Sequence, residues 1–224
     1  MKQNDFWMDM SDSNDATEKY HGWYYNTEVW LGVKYLGVPC YKSVADMWNY
    51  QEILHELKPS LIVEFGTRFG GSALFFSVTG RAINPDLKVL SVDIGHEDVD
   101  GRVYADPAIY LQTSSSTDPA VALRIRSMRE QFPGPVFFIL DSDHRKDHVL
   151  AEMELLRTVV RSGDYLVVED GNINGNPVLP GWGEGPFEAI RAYQERYPDD
   201  YRDDAEREAK FGFTFAPGGF LIKR

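Results

Sequence analysis

The 224-residue chain has one cysteine, Cys40, so it can form no internal disulfide, and that fits a reducing compartment. No apolar run approaches the roughly 20 residues that a membrane-spanning helix needs. Basic residues are the minority: 23 Lys and Arg stand against 35 Asp and Glu, and the formal net charge is −12. No Lys/Arg run marks a local exception, so neither a nucleic acid nor an anionic membrane is an expected partner. Residues 1–20 carry Asp5, Asp9, Asp12, Asp15 and Glu18, which rules out a signal peptide there. A cytoplasmic location is the expectation.

What is present is ordinary for a folded domain: 43% hydrophobic and 13% aromatic residues. Residues 1–20 read as a polar, loosely docked tail. Residues 21–42 are dense in aromatics (Trp23, Tyr24, Tyr25, Trp30, Tyr35, Tyr41). They read as an extended arm packed on the domain, as a wall of a substrate pocket, or as both. Residues 1–42 are thus expected to form an arm or lid, and residues 43–224 the domain proper. The aromatic segment would also suit the interface of a homo-oligomer.

A helix is expected from an N-cap at Ser43 to Pro59. Beyond it, short apolar runs alternate with helical stretches. The runs are Leu61–Phe65, Lys88–Asp93, Ile109–Gln112, Val136–Asp141 and Tyr165–Glu169, and between them lie Ser72–Thr79, Pro119–Gln131, Asp147–Val160 and Pro186–Tyr197. That alternation predicts an α/β fold with a mostly parallel sheet. Phe211–Phe215 and Phe220–Lys223, separated by APGG, read as a terminal antiparallel hairpin.

In such a sheet, ligands bind beyond the carboxyl ends of the strands. The first strand runs into Glu64-Phe65-Gly66-Thr67-Arg68-Phe69-Gly70-Gly71-Ser72. This is neither G-x-G-x-x-G nor a phosphate loop, because Arg68 stands where the second glycine would be and no lysine precedes Ser72. The glycines let a small ligand approach backbone, and the helix start favours a carboxylate on it. Asp93 ends the second strand, where it can accept both hydroxyls of a ribose. A nucleoside with a carboxylate and no phosphate describes S-adenosylmethionine. The bland reading is a tight turn with Asp93 as its cap.

Asp141 ends the fourth strand, and Glu169 and Asp170 end the fifth. Neighbouring strands lie about 4.8 Å apart, so these carboxylates would crowd together. A divalent cation relieves the repulsion, and oxygen-only donors point to Mg²⁺, with Mn²⁺ or Ca²⁺ as alternatives, rather than to zinc. The plain alternative is a solvated acidic rim. His144 is a candidate general base. His148 would share a helix face with it. The glycine- and proline-rich loop 171–186, with Trp182, reads as a lid or as simple surface.

LIVEFGTRFGGSALF (Leu61–Phe75), FILDSDH (Phe138–His144) and LVVED (Leu166–Asp170) resemble the cephalosporin hydroxylase / rhamnosyl O-methyltransferase family, from about residue 30 to 224. The resemblance implies a Rossmann-like class I methyltransferase fold, with a seven-stranded mostly parallel sheet ending in an antiparallel hairpin. It implies that Glu64, Gly66, Thr67, Gly70 and Ser72 bind the methionine part of S-adenosylmethionine, Asp93 the ribose, and that Ser114 borders the adenine. It implies Mg²⁺ on Asp141, Glu169 and Asp170. The expected reaction is Mg²⁺-dependent methyl transfer to a hydroxyl of a small molecule, a sugar moiety or a natural-product intermediate. Asp141 and His144 would be its catalytic residues. The rival readings are a non-catalytic S-adenosylmethionine-binding protein, an iron-dependent hydroxylase built on two histidines and a carboxylate, and a nicotinamide oxidoreductase.

Overall fold

The computed structural model describes residues 16–224; the acidic stretch before them lies outside the described residues. A seven-stranded sheet runs through the molecule. Its strands are β3 (Leu61–Phe65), β4 (Lys88–Asp93), β5 (Ile109–Thr113), β6 (Val136–Leu140), β7 (Tyr165–Val168), β8 (Tyr201–Asp203) and β9 (Phe220–Lys223). Their spatial order is β5-β4-β3-β6-β7-β9-β8, parallel from β5 to β7, with β9 antiparallel to β7 and β8. The chain builds outward from β3 to β5, then returns to add β6, so the order reverses between β3 and β6. A crevice opens at such a reversal.

Successive side chains of a strand face opposite ways, and the central strands are buried on both faces. Leu61, Val63 and Phe65 pack under α5 (Pro119–Gln131), α6 (Lys146–Arg157) and α7 (Pro186–Arg196). Ile62 faces the other layer, with α2 (Val44–Leu57), α3 (Gly71–Ile83) and α4 (Gly101–Ala105). Glu64 falls on that second face, a carboxylate where the pattern asks for an apolar residue. α2 starts as its sequence predicts: the Ser43 side chain accepts from the Asp46 amide, and Lys58, in a left-handed conformation before Pro59, closes it.

The terminal hairpin is corrected. Its first arm is the short, charged β8, not Phe211–Phe215. Asp46 claims the latter segment: its carboxylate accepts from the Thr214 hydroxyl at 2.6 Å and the Phe215 amide at 2.8 Å. Residues 16–42 are likewise no extended arm. They form α1 (Ala16–Asn26), a 3-10 turn at Val29–Gly32 and a small hairpin of β1 (Lys34–Tyr35) and β2 (Val38–Pro39).

Candidate active site

The register sets the site. Phe65 pairs with Leu140, and Leu140 with Val168, so Gly66, Asp141 and Glu169 emerge side by side. A cavity of about 510 Å³ lies above them. Of the polar residues and glycines singled out in the sequence, Gly66, Thr67, Ser72, Asp93, Ser114, Asp141, His144, His148 and Asp170 line it.

The glycine turn is held from both sides. Gly66 has φ +96°, and a Cβ there would come within 1.9 Å of the Asp141 carbonyl oxygen, so only glycine allows β3 and β6 to end this close. Asp93 Oδ2 accepts from the amides of Thr67 at 2.8 Å and Arg68 at 3.0 Å, and Oδ1 from the Ile94 amide at 2.7 Å. The capping role and the cavity-facing role therefore coexist in one carboxylate. Thr67 Oγ1 lies 2.8 Å from Ser91 Oγ and 3.3 Å from His96 Nε2, and His96 reaches Thr113. Gly70, at φ +80°, is the N-cap of α3 and sits beside Val103 rather than in the cavity lining.

Glu64 does not line the cavity. It is fully buried below it, taking a 2.8 Å hydrogen bond from Ser91 while Oε1 has no partner. Burial pushes its pKa up to about 7, against the pull of Lys42 and of the Ser72 and Ser91 hydroxyls.

The acidic cluster is organised by a residue that the sequence reading passed over. Lys42 is buried, and its ammonium donates to Asp141 Oδ2 at 2.6 Å and to both oxygens of Glu169 at 2.8–2.9 Å. Burial alone would lower its pKa, but Asp141 and Glu169 hold it well above the usual lysine value. The Tyr50 hydroxyl donates a further 2.8 Å bond to Glu169 Oε1. Lys42 had a signal: a lysine just before a helix N-cap opposes the helix dipole and asks for a reason.

The compact donor group in the structure is Asp141, His144 and Asp170, one ligand atom from each lying within 4.8 Å of the others. Glu169 adjoins it through Lys42. His144 Nε2 is 3.1 Å from Asp170 Oδ2 and 3.4 Å from Asp141 Oδ1, yet makes no well-aligned hydrogen bond. Burial would lower its pKa; Asp170 and Asp141 outweigh that and push it up to about 9. One imidazole and two carboxylates do not make the two-histidine set of the iron hydroxylase reading. His148 belongs to a different network: Nε2 is 3.0 Å from Ser116 Oγ and 3.3 Å from the buried Glu152. His144 precedes the start of α6, so the two histidines do not share its face.

A chain of rings roofs the cavity. Phe215 meets Tyr25 and Trp30, Trp30 meets Tyr41, and Tyr41 meets Phe69, with centroids 5.2–6.5 Å apart. Packing and pocket wall are both realised by the aromatic segment. Loop 171–186 contributes no lining residue, and Trp182 stands half-exposed elsewhere.

This fold and this crevice define a class I S-adenosylmethionine-dependent methyltransferase fold. A CmcI structure with Mg and SAM superposes with a TM-score of 0.68 at 21% identity, covering 87% of this chain and 77% of that one. An O-methyltransferase from Bacillus cereus in complex with SAH gives 0.55 at 14% identity, covering 96% and 95%. The family model for Rhamnosyl O-methyltransferase/CmcI matches residues 27–224. The rhamnosyl O-methyltransferase of Mycobacterium tuberculosis is 57% identical over 211 residues, 94% of this chain and 86% of that protein. That of Mycobacterium leprae is 54% identical over 212 residues, 95% and 92%. The chain belongs to the Rhamnosyl O-methyltransferase/CmcI family. No helix of the described residues is long and apolar enough to cross a membrane.

Proposed function

We propose that the protein transfers a methyl group from S-adenosylmethionine to a hydroxyl of a rhamnosyl sugar on a small molecule, with Mg²⁺ bound beside the acceptor. The observation that carries this is the meeting of two half-sites in one cavity. The glycine turn with Asp93 lies over β3 and β4, and the Asp141–His144–Asp170 group lies next to it over β6 and β7. The relatives' name supplies the sugar, and the aromatic roof gives its ring flat apolar faces to lie on.

On the cofactor side, the start of α3, with Ser72, favours the methionine carboxylate. Asp93 keeps lone pairs for the ribose hydroxyls, and Ser114 stands at the adenine end. On the acceptor side, the crowded carboxylates fit a divalent cation. Asp141 and Asp170 would hold it, and Glu169, the third expected carboxylate, would join only by giving up Lys42. Bound there, Mg²⁺ supplies a Lewis acid that lowers the pKa of the acceptor hydroxyl.

His144 is placed to take the hydroxyl proton. In the metal-free arrangement the surrounding carboxylates keep it protonated. A cation held by Asp141 and Asp170 would take over that neutralising role and leave His144 Nε2 free to accept the proton. The rest is positioning. The roof keeps water out, and the two half-sites hold oxygen and methyl at the near-attack separation of about 3–3.5 Å.

The test is a reaction of the purified protein with S-adenosylmethionine, Mg²⁺ and a rhamnosylated phenol, read by mass spectrometry. A product heavier by one methylene, formed with Mg²⁺ and not with excess EDTA, is the expected result. Turnover that persists undiminished in EDTA would remove the metal from the reading. Binding of S-adenosylmethionine without turnover of any rhamnosylated acceptor would remove the sugar.

A further inference from the structure

We propose that Lys42 is a built-in counter-ion that shares the acidic cluster with the metal and sets how tightly the metal is held. The inference rests on the metal reading given above.

Three carboxylates, Asp141, Glu169 and Asp170, converge on one spot. The ammonium offsets part of that negative charge and leaves the rest for a divalent cation. Lys42 is placed to take one share and leave the rest. Its Nζ binds Asp141 through Oδ2, whereas Oδ1 of the same carboxylate faces His144 and the donor group. It also spans both oxygens of Glu169, which Tyr50 holds from another direction. Asp141 is thereby oriented, and Glu169 is kept neutralised beside the metal position. The ammonium is 3% exposed, so little solvent weakens its field.

Two consequences follow from this placement. The metal and Lys42 repel each other across Asp141, so the lysine lowers metal affinity. Lys42 also substitutes for the metal in its absence, which lets the carboxylates stay buried in an empty protein; unpaired buried charge is otherwise strongly destabilising. Lys42 acts through Asp141 and Glu169 and touches no reacting atom, so it is a positioning residue.

The experiment is Mg²⁺ titration by calorimetry on the full chain, without acceptor, for wild type, Lys42→Met, Lys42→Gln and Lys42→Arg. Melting temperatures are taken in EDTA and in Mg²⁺. Removing the positive charge is expected to tighten Mg²⁺ binding by at least about tenfold, since an ammonium on the same buried carboxylate repels the cation with little solvent screening. Lys42→Arg keeps the charge and is expected to bind like wild type. Lys42→Met is expected to melt earlier in EDTA and to regain most of the loss in Mg²⁺. Lys42→Gln retains a donor for Glu169, so the charge question stays answerable if Lys42→Met does not fold. Wild type that binds Mg²⁺, with neutral variants that bind it no tighter, overturns the counter-ion role alone. Wild type that binds no Mg²⁺ overturns the metal reading, and this inference with it.

Discussion

Asp93 Oδ2 lies 2.8 Å from the backbone nitrogen of Thr67. The same oxygen takes the next amide, Arg68. The carboxylate proposed to hold the ribose thus also sets the shape of the glycine turn. Asp93→Ala is expected to weaken S-adenosylmethionine binding by about ten- to a hundredfold, the range for loss of hydrogen bonds to a charged group. Calorimetry measures it, and unchanged affinity would mean that the turn holds itself and the ribose is recognised elsewhere.

Asp141 belongs to the other half-site. Asp141→Asn is expected to lower the methyl-transfer rate by at least about a hundredfold, because it removes a charge from the metal position. The dissociation constant for S-adenosylmethionine is expected to stay within a few-fold of wild type. Comparing that constant with kcat separates the two half-sites. Loss of cofactor binding to the same extent as kcat would show that they are not independent.

The roof gives a paired comparison. Trp30 lines the cavity, and Trp182 does not. Trp30→Ala is expected to raise the KM for the acceptor by about tenfold, the scale of one aromatic contact plus its buried area. Trp182→Ala is expected to leave it unchanged. Equal effects would return loop 171–186 to the role of a lid.

The docking of α1 is expected to weaken at low pH. His21 is buried against Phe213 and Phe215, and its Nε2 lies 2.9 Å from Asn172 Nδ2, so the amide donates and the imidazole is neutral. Burial lowers its pKa from 6.5 to about 4. The folded protein therefore binds fewer protons than the unfolded chain between those values. The stabilisation is complete above about pH 6.5 and is lost as pH falls towards 4, up to about 3 kcal/mol. Melting temperatures across this window, compared with His21→Phe, check it: the variant is expected to lack this part of the pH dependence.

The parallel sheet was legible because each of its five strands is an apolar run ending in a polar group. β8 was not, since Tyr201-Arg202-Asp203 is short, with two of its three residues charged, and joins the sheet only because β9 offers it an edge. Phe211–Phe215 carries the alternation of a strand but spends its hydrogen bonds on Asp46, a partner 169 positions from Phe215. The site shows the same division. Asp93, Asp141, Asp170 and His144 could be located because strand ends collect ligands. Lys42 reaches Glu169 across 127 residues, and no local pattern marks a contact of that span. What local sequence did carry was the oddity of a lysine ahead of Ser43.

The roof is assembled mainly from two stretches far apart in sequence, residues 16–42 and the segment around Phe215, with Phe69 of the glycine turn at its edge, whereas the proposed cofactor and metal half-sites sit at the ends of the sheet strands. Acceptor preference can therefore drift, or be re-engineered, without rebuilding the chemistry beneath. The two stretches have to travel as a matched set, because Phe215 packs on Tyr25 and Trp30 and is pinned by Asp46. A chimera that exchanges one of them alone would inherit a mismatched ceiling, and any exchange that drops Lys42 would alter the floor as well.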